Sequence, residues 1–175
     1  MKNIHIFLVV LCFIQIYSSK VDTIRSWAKQ RLGSGYYYCY GAAGEKLTQS
    51  LLNSLTSKFG ASNVNPSKAK KHIGKIVYDC SGFVMMAFKQ VGISINRSTT
   101  SAWQGTNWAS KGSASSTPRD KMAILYRPAG SSKRHTGIYM GDGTVIHAKG
   151  IDYGIVKENF QPEKWGDYGI PRGLY

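Results

Sequence analysis

The sequence predicts an α+β domain in which N-terminal helices pack on an antiparallel sheet. Two observations carry that prediction. Helix-period segments occupy the first half of the chain, and short strand-length segments occupy the second. A third observation bounds it: 175 residues that are 42% hydrophobic suit one domain with a full core, and exclude a disordered chain.

Residues 1–19 read as a secretory signal peptide. Lys2 gives a basic start, Ile6 to Tyr17 form an apolar run, and Ser18 and Ser19 follow. About a dozen apolar residues are too few for a comfortable membrane span, and the competing reading is a buried first element. Removing the segment costs one lysine, so the net charge falls from +14 to +13. No later stretch is apolar enough for stable membrane insertion. The mature domain is therefore expected at 20–175.

Val21 to Leu32 places Ile24, Trp27, Ala28 and Leu32 at helical spacing, and Gly33 ends the helix. Gly35 to Gly44 is aromatic and then glycine-rich, so an extended segment leading into a tight turn is expected. Leu47 to Phe59 is a second helix, with Leu51, Leu52, Leu55 and Phe59 on one face. Ser57 to Lys75 carries Lys58, Lys68, Lys70, Lys71 and Lys75 around Pro66. It reads as a surface insertion with a short basic helix, at about 45–76. Asp79 opens the clearest helix, in which Val84, Ala87, Phe88 and Val91 recur and Gly92 is the stop. The polar run from Ser94 to Arg119 gives no element. Strands are expected at Met122–Tyr126, Thr136–Met140, Thr144–Ala148, Gly154–Val156 and near Ile170.

The chemistry concentrates at Cys80. Asp79 suits a helix N-cap, which puts Cys80 on the first helical residue. Unpaired N–H groups and the positive end of the macrodipole favour a thiolate there. The alternatives are a disulfide with Cys39 or an inert core thiol. Cys39 alternates with Tyr38 and Tyr40 in an extended segment, so it faces away from them.

His135 to Ala148 reads as a β-hairpin around Gly141-Asp142-Gly143. A two-residue turn puts His135 and His147 on opposite faces. A three-residue loop pairs Met140 with Thr144 and Gly137 with His147, and puts both histidines on one face. Only the longer loop gathers Ile138, Met140, Ile146 and Ala148 as one apolar set, so it is preferred. One imidazole then takes the proton of Cys80 and the other orients it. The competing readings are solvated strand histidines, or a zinc site with Cys80 as third ligand. His72 reads as a solvated side chain. The preferred site is catalytic, with no metal and no cofactor.

These residues resemble the NlpC-like family of cysteine peptidases, which share a papain-like core. The matching elements are Tyr-Cys-Tyr-Gly at 38–41, Asp-Cys-Ser-Gly-Phe-Val at 79–84, Arg-Ser-Thr at 97–99, Arg-His-Thr-Gly-Ile-Tyr-Met-Gly at 134–141 and Val-Ile-His-Ala at 145–148. The resemblance implies hydrolysis of bacterial peptidoglycan stem peptides, usually between γ-linked D-glutamate and a diamino acid. By motif position it makes Cys80 the nucleophile, His135 the base and His147 the orienting residue. It places Tyr38 near the oxyanion position. It brings Asp79, Ser81 and Ser98 to the substrate peptide, Asp79 by pairing with a free amine. Cys39 and Tyr37 depart from the family's usual apolar residue and proline, and the long insertion is a further departure.

The charge, 23 Lys and Arg against 9 Asp and Glu, draws polyanions such as anionic wall polymers. A nucleic-acid partner conflicts with export. The competing functions are a peptidoglycan amidase or related thiol acyltransferase using the same residues, and a non-catalytic cationic wall-binding protein. Asn96-Arg97-Ser98 is a glycosylation sequon.

Overall fold

The computed structural model describes residues 19–33, 35–128, 130 and 134–175. The expected signal peptide lies outside the described residues, apart from Ser19. Among the described residues, no helix is long and apolar enough to cross a membrane.

The helices lead and the large sheet follows. Helix α1 (Ser19–Lys29) buries Ile24, Trp27 and Ala28. Strand β1 (Tyr36–Tyr38) carries the aromatic run and β2 (Ala43–Lys46) follows the glycine turn. Helix α2 (Gln49–Phe59) starts at Thr48, whose hydroxyl accepts from the Leu51 N–H. It buries Leu52 and Leu55. Two single-turn helices, α3 (Ala61–Val64) and α4 (Pro66–Ala69), meet at Asn65. Asn65 adopts φ 51° and caps both, which a short polar side chain tolerates in the left-handed region. Strand β3 (Ile76–Tyr78) then runs between β1, to which it is parallel, and β2, to which it is antiparallel.

This segment corrects the expectation of a surface insertion. Val64 and Ala69 join Leu47, Leu52, Leu55, Cys39, Ala42 and Val77 in a second apolar core. The small sheet supplies the other half of that core, and no single stretch of 45–76 shows it. Lysines 68, 70, 71 and 75 are exposed. Lys68 pairs with Asp152 at 2.7 Å, tying the segment to the turn after the histidine hairpin. His72 is not simply solvated: it stacks on Tyr37 with centroids 4.1 Å apart.

Helix α5 (Cys80–Lys89) buries Phe83, Val84, Ala87 and Phe88 in the main core. It packs across β6 (His135–Tyr139) and β7 (Thr144–Gly150). These belong to a six-stranded antiparallel sheet with β4 (Trp108–Ser113), β5 (Ala123–Arg127), β8 (Gly154–Asn159) and β9 (Asp167–Pro171), ordered β4-β9-β5-β6-β7-β8. Helix α6 (Thr99–Gly105) and β4 fall in the polar run that gave no element. Helix α6 buries only Ala102 and β4 is a mostly exposed edge strand, so neither leaves an apolar period.

The hairpin register is the three-residue one. Ile138 pairs with Ile146 and Tyr139 with Val145, and the Met140 N–H bonds the Thr144 carbonyl at 2.9 Å. Ile138, Met140, Ile146 and Ala148 are fully buried together. Gly137 leaves the space that His147 needs: a Cβ there would lie 3.0 Å from His147 Cβ and from Trp165 Cη2.

Candidate active site

Asp79 caps α5 by accepting from the Gly82 N–H at 2.7 Å, which fixes Cys80 as the first helical residue. The cap carboxylate is fully engaged. One oxygen also accepts from Ser81 Oγ at 2.9 Å, and the other from the Gly41 N–H at 2.9 Å. Arg97 spans both oxygens at 2.8 and 2.9 Å. It also bonds Ser81 Oγ and the Ala42 carbonyl. Five donors converge on this carboxylate, so a substrate amine that approaches Asp79 must compete with them. Arg97 is the residue that gathers the network, and only its Arg-Ser-Thr motif hinted at it.

Cys80 is 8% exposed at the floor of a cleft of about 1040 Å³. Tyr38, Ser81, Ser98 and His135 line the same cleft. The insertion supplies one wall, through Ser54, Lys58, Ser62 and Asn63. Thr99 Oγ1 lies 3.7 Å from the sulfur, and the N–H groups of Thr136 and Ser81 bond it. Thr136 follows His135 on β6, so this contact brings the sulfur to the strand that carries the imidazole. Ser98 lies at φ 75° as the N-cap of α6, and accepts from the Ser101 N–H.

The electrostatics of the thiol differ from the helix-end expectation. Burial raises the Cys80 thiol above its ordinary range, and the Asp79 charge adds to this. The bonds from Thr99, Thr136 and Ser81 act the other way. Burial wins because the thiol loses more hydration than one helix end restores. Cys39 is also a free, buried thiol, so the two cysteines are not joined.

His135 and His147 share a face, and His135 Nε2 lies 2.6 Å from His147 Nδ1. Burial lowers the pKa of both below the ordinary value of 6.5. Trp165, between β8 and β9, stacks on His135 at 5.6 Å and sets its ring edge-on to His147 at 5.8 Å. His147 Nε2 is 2.9 Å from Glu158 Oε2, and Lys149 Nζ donates to Glu158 Oε1 at 2.7 Å. Glu158 and Trp165 were not found from the sequence. Glu158 sits two residues along β8 from Val156, the partner of His147, so only the β7–β8 register exposes it. Tyr38 has its hydroxyl pKa raised by burial and by the nearby Cys80, and so it stays a donor. Among the described residues, no three His, Cys, Asp or Glu side chains converge to hold a metal ion.

The family model described as NlpC/P60 family matches residues 38–170. "Probable endopeptidase p60" of Listeria grayi is 35% identical over 116 residues, covering 61% of this chain and 21% of that protein. "Murein DD-endopeptidase MepS/Murein LD-carboxypeptidase" of Escherichia coli K12 is 34% identical over 88 residues, 50% of this chain and 44% of the other. The chain thus spans about a fifth of the length of the Listeria relative. The solved peptidoglycan hydrolase RipB of Mycobacterium tuberculosis superposes with a TM-score of 0.56 at 18% identity, over 87% of this chain and 64% of that one. That likeness is one of fold.

Proposed function

Because the chain belongs to the NlpC/P60 family, we propose that it is a cysteine endopeptidase acting on the stem peptides of bacterial peptidoglycan. Cys80 is the nucleophile and His135 the base. The bond proposed is that between γ-linked D-glutamate and the diamino acid, as the motif resemblance implies. The observation that carries this reading is a buried thiol at a helix start, sharing a cleft with a histidine whose far nitrogen is held by a second histidine. The name of the Listeria relative supports an endopeptidase activity, and that of the Escherichia relative supports a murein substrate.

The proposed steps use these groups as follows. His135 Nε2 faces His147, which leaves Nδ1 for the thiol. As the sulfur attacks the scissile carbonyl carbon, Nδ1 takes its proton. The tetrahedral oxyanion accepts from the Tyr38 hydroxyl and from N–H groups of the first turn of α5. Collapse breaks the C–N bond, and the leaving amine takes the proton from His135. Water then cleaves the thioester, with His135 again as base, and regenerates the thiol.

Export through the segment at 1–19 brings the enzyme to its substrate, and the excess positive charge draws it to anionic wall polymers. The test is digestion of purified sacculi with the released fragments identified by mass. Wild type should release fragments ending in γ-D-glutamate. Folded Cys80→Ala should release none, and His135→Ala should lose more activity than His147→Ala. Fragments cut at the glycan–L-alanine amide would replace the endopeptidase reading with an amidase. Cleavage at the cross-link would overturn the bond assignment. Wild-type rates in folded Cys80→Ala would overturn the thiol mechanism.

A further inference from the structure

The imidazole pair does not end at His147. On the sheet face that carries His135 and His147, two further side chains continue the line: Glu158 on β8 and Lys149 on β7. His147 lies opposite Val156, so Glu158, two residues along β8, shares its face, and the hydrogen bond to Glu158 brings Lys149 beside it. The contacts form a chain: Lys149 Nζ donates to Glu158 Oε1, Glu158 Oε2 meets His147 Nε2, and His147 Nδ1 meets His135 Nε2.

Building on the proposed cysteine peptidase, we infer that Glu158, held by Lys149, is the positioning residue that sets which nitrogen of each histidine carries its proton. An ionised carboxylate only accepts hydrogen bonds. His147 Nε2 must then carry the hydrogen that it donates to Glu158. A neutral His147 has its Nδ1 bare, so Nδ1 accepts from His135 Nε2. A neutral His135 that donates from Nε2 has its Nδ1 bare in turn, and Nδ1 is the nitrogen left for the Cys80 proton. One negative charge on an edge strand thus determines the base two links away. Lys149 keeps that charge in place, since its hydrogen bond is the largest influence holding the Glu158 carboxyl below its ordinary range. Among the described residues, the other groups that face the pair are the Arg127 charge from β5 and the indole of Trp165. Neither of them can accept a hydrogen from His147 Nε2.

The arrangement makes an isosteric change worse than a truncation. In Glu158→Gln, the amide oxygen must face Lys149, which has only hydrogens to give. The amide nitrogen then faces His147 and donates to Nε2. Each imidazole shifts to its other tautomer, and His135 presents N–H instead of a bare nitrogen to the thiol. In Glu158→Ala the pair is free to take either tautomer. A role in packing alone predicts the opposite order, with Gln milder than Ala.

The experiment compares these variants in the full chain, in two readouts. Turnover of a soluble stem peptide should fall on the order of 10²-fold or more in Glu158→Gln, with KM nearly unchanged, as expected for a wrong tautomer. Glu158→Ala should lose less. Lys149→Met in the Glu158→Gln background should restore much of the loss, because the amide is then free to turn its oxygen to His147. Nitrogen chemical shifts of the two imidazoles give the second readout, which needs no catalysis. Nδ1 should be bare on both rings in the wild type and protonated on both in Glu158→Gln. Unchanged tautomers, or Glu158→Gln at least as active as Glu158→Ala, would overturn the inference. A wild type with this tautomer pattern but no cleavage of peptidoglycan would count against the proposed function and leave the relay standing.

Discussion

Arg97 shows how one side chain organises the entrance to the thiol. Its guanidinium binds both oxygens of Asp79, the Ser81 hydroxyl and the Ala42 carbonyl. Asp79 is buried, so its charge needs that partner. Asp79 also bonds Gly41 and Gly82, so the turn before β2 and the start of α5 hang on the same carboxylate. Arg97→Ala leaves the buried carboxylate without its cation and should lower unfolding stability by about 1–3 kcal/mol. The figure is held down because the Arg97 side chain is 35% exposed and partly screened by water. Arg97→Lys should fall between the two, since an ammonium cannot span both oxygens as a guanidinium does. Urea denaturation of the three proteins checks the order, and an Arg97→Ala midpoint equal to wild type would show that the network contributes no stability.

At the scale of elements, the approach of α5 to β2 decides how deep the thiol sits. Gly82 lies on the first turn of α5, facing the backbone of β2. A Cβ on it would run into the Ala42 carbonyl oxygen and lie 2.8 Å from Ala43 Cα. Neither is the end of a flexible side chain, so the helix itself must move. Gly82→Ala gains helix propensity of about 1 kcal/mol in an exposed helix. Here it should instead destabilise by about 1–3 kcal/mol through overpacking. It should also slow alkylation of Cys80 or peptide turnover, because Cys80 is carried by the same turn. Thermal melting and thiol-labelling rates measure the two effects. A stabilised Gly82→Ala protein would mean that β2 gives way without cost. The insertion is the other element whose placement matters. Through α2 and α3 it walls the cleft, and Leu52, Leu55 and Val64 anchor it in its own core.

For the whole molecule, the buried titratable groups set the pH range of stability. His135 and His147 have pKa values lowered by burial, from an ordinary 6.5. Above that pH they are neutral in both the folded and unfolded states and cost nothing. As pH falls below it, the unfolded chain takes up protons that the folded chain refuses. Stability should then fall by up to about 1.4 kcal/mol per pH unit for each histidine. The carboxyls of Glu158 and Asp142 are lowered from ordinary values of 4.5 and 3.8, so their contributions are lost only at more acid pH. On the alkaline side, Cys80 and Cys39 have thiols raised from an ordinary 9.0 by burial. The unfolded chain loses protons there first, so stability should decline again above about pH 9. Denaturation midpoints between pH 4 and 10 should trace this dome, and His147→Gln should lessen the slope between pH 6.5 and 5. A flat midpoint from pH 7 to 5 would contradict it.

The sequence by itself determined the order of elements, the Asp79 cap, the place of Cys80 on its helix and the face shared by His135 and His147. These are local facts. A cap is written in one residue, and a hairpin register follows from its loop and its apolar set, so Ile138, Met140, Ile146 and Ala148 were enough to choose it. Tertiary structure alone decided the rest. Glu158 reaches His147 only through the β7–β8 register, Arg97 reaches Asp79 across 18 residues, and Trp165 folds over the imidazoles from a loop between strands. The stretch from Ser57 to Lys75 reads as polar because its single-turn helices α3 and α4 each bury one apolar residue, Val64 and Ala69, which join a core only when Leu52, Leu55 and Val77 pack with them. The thiol's electrostatics belong to the same class. A helix start favours the charged form by a local rule, whereas burial is a property of everything packed around it, and here burial prevails.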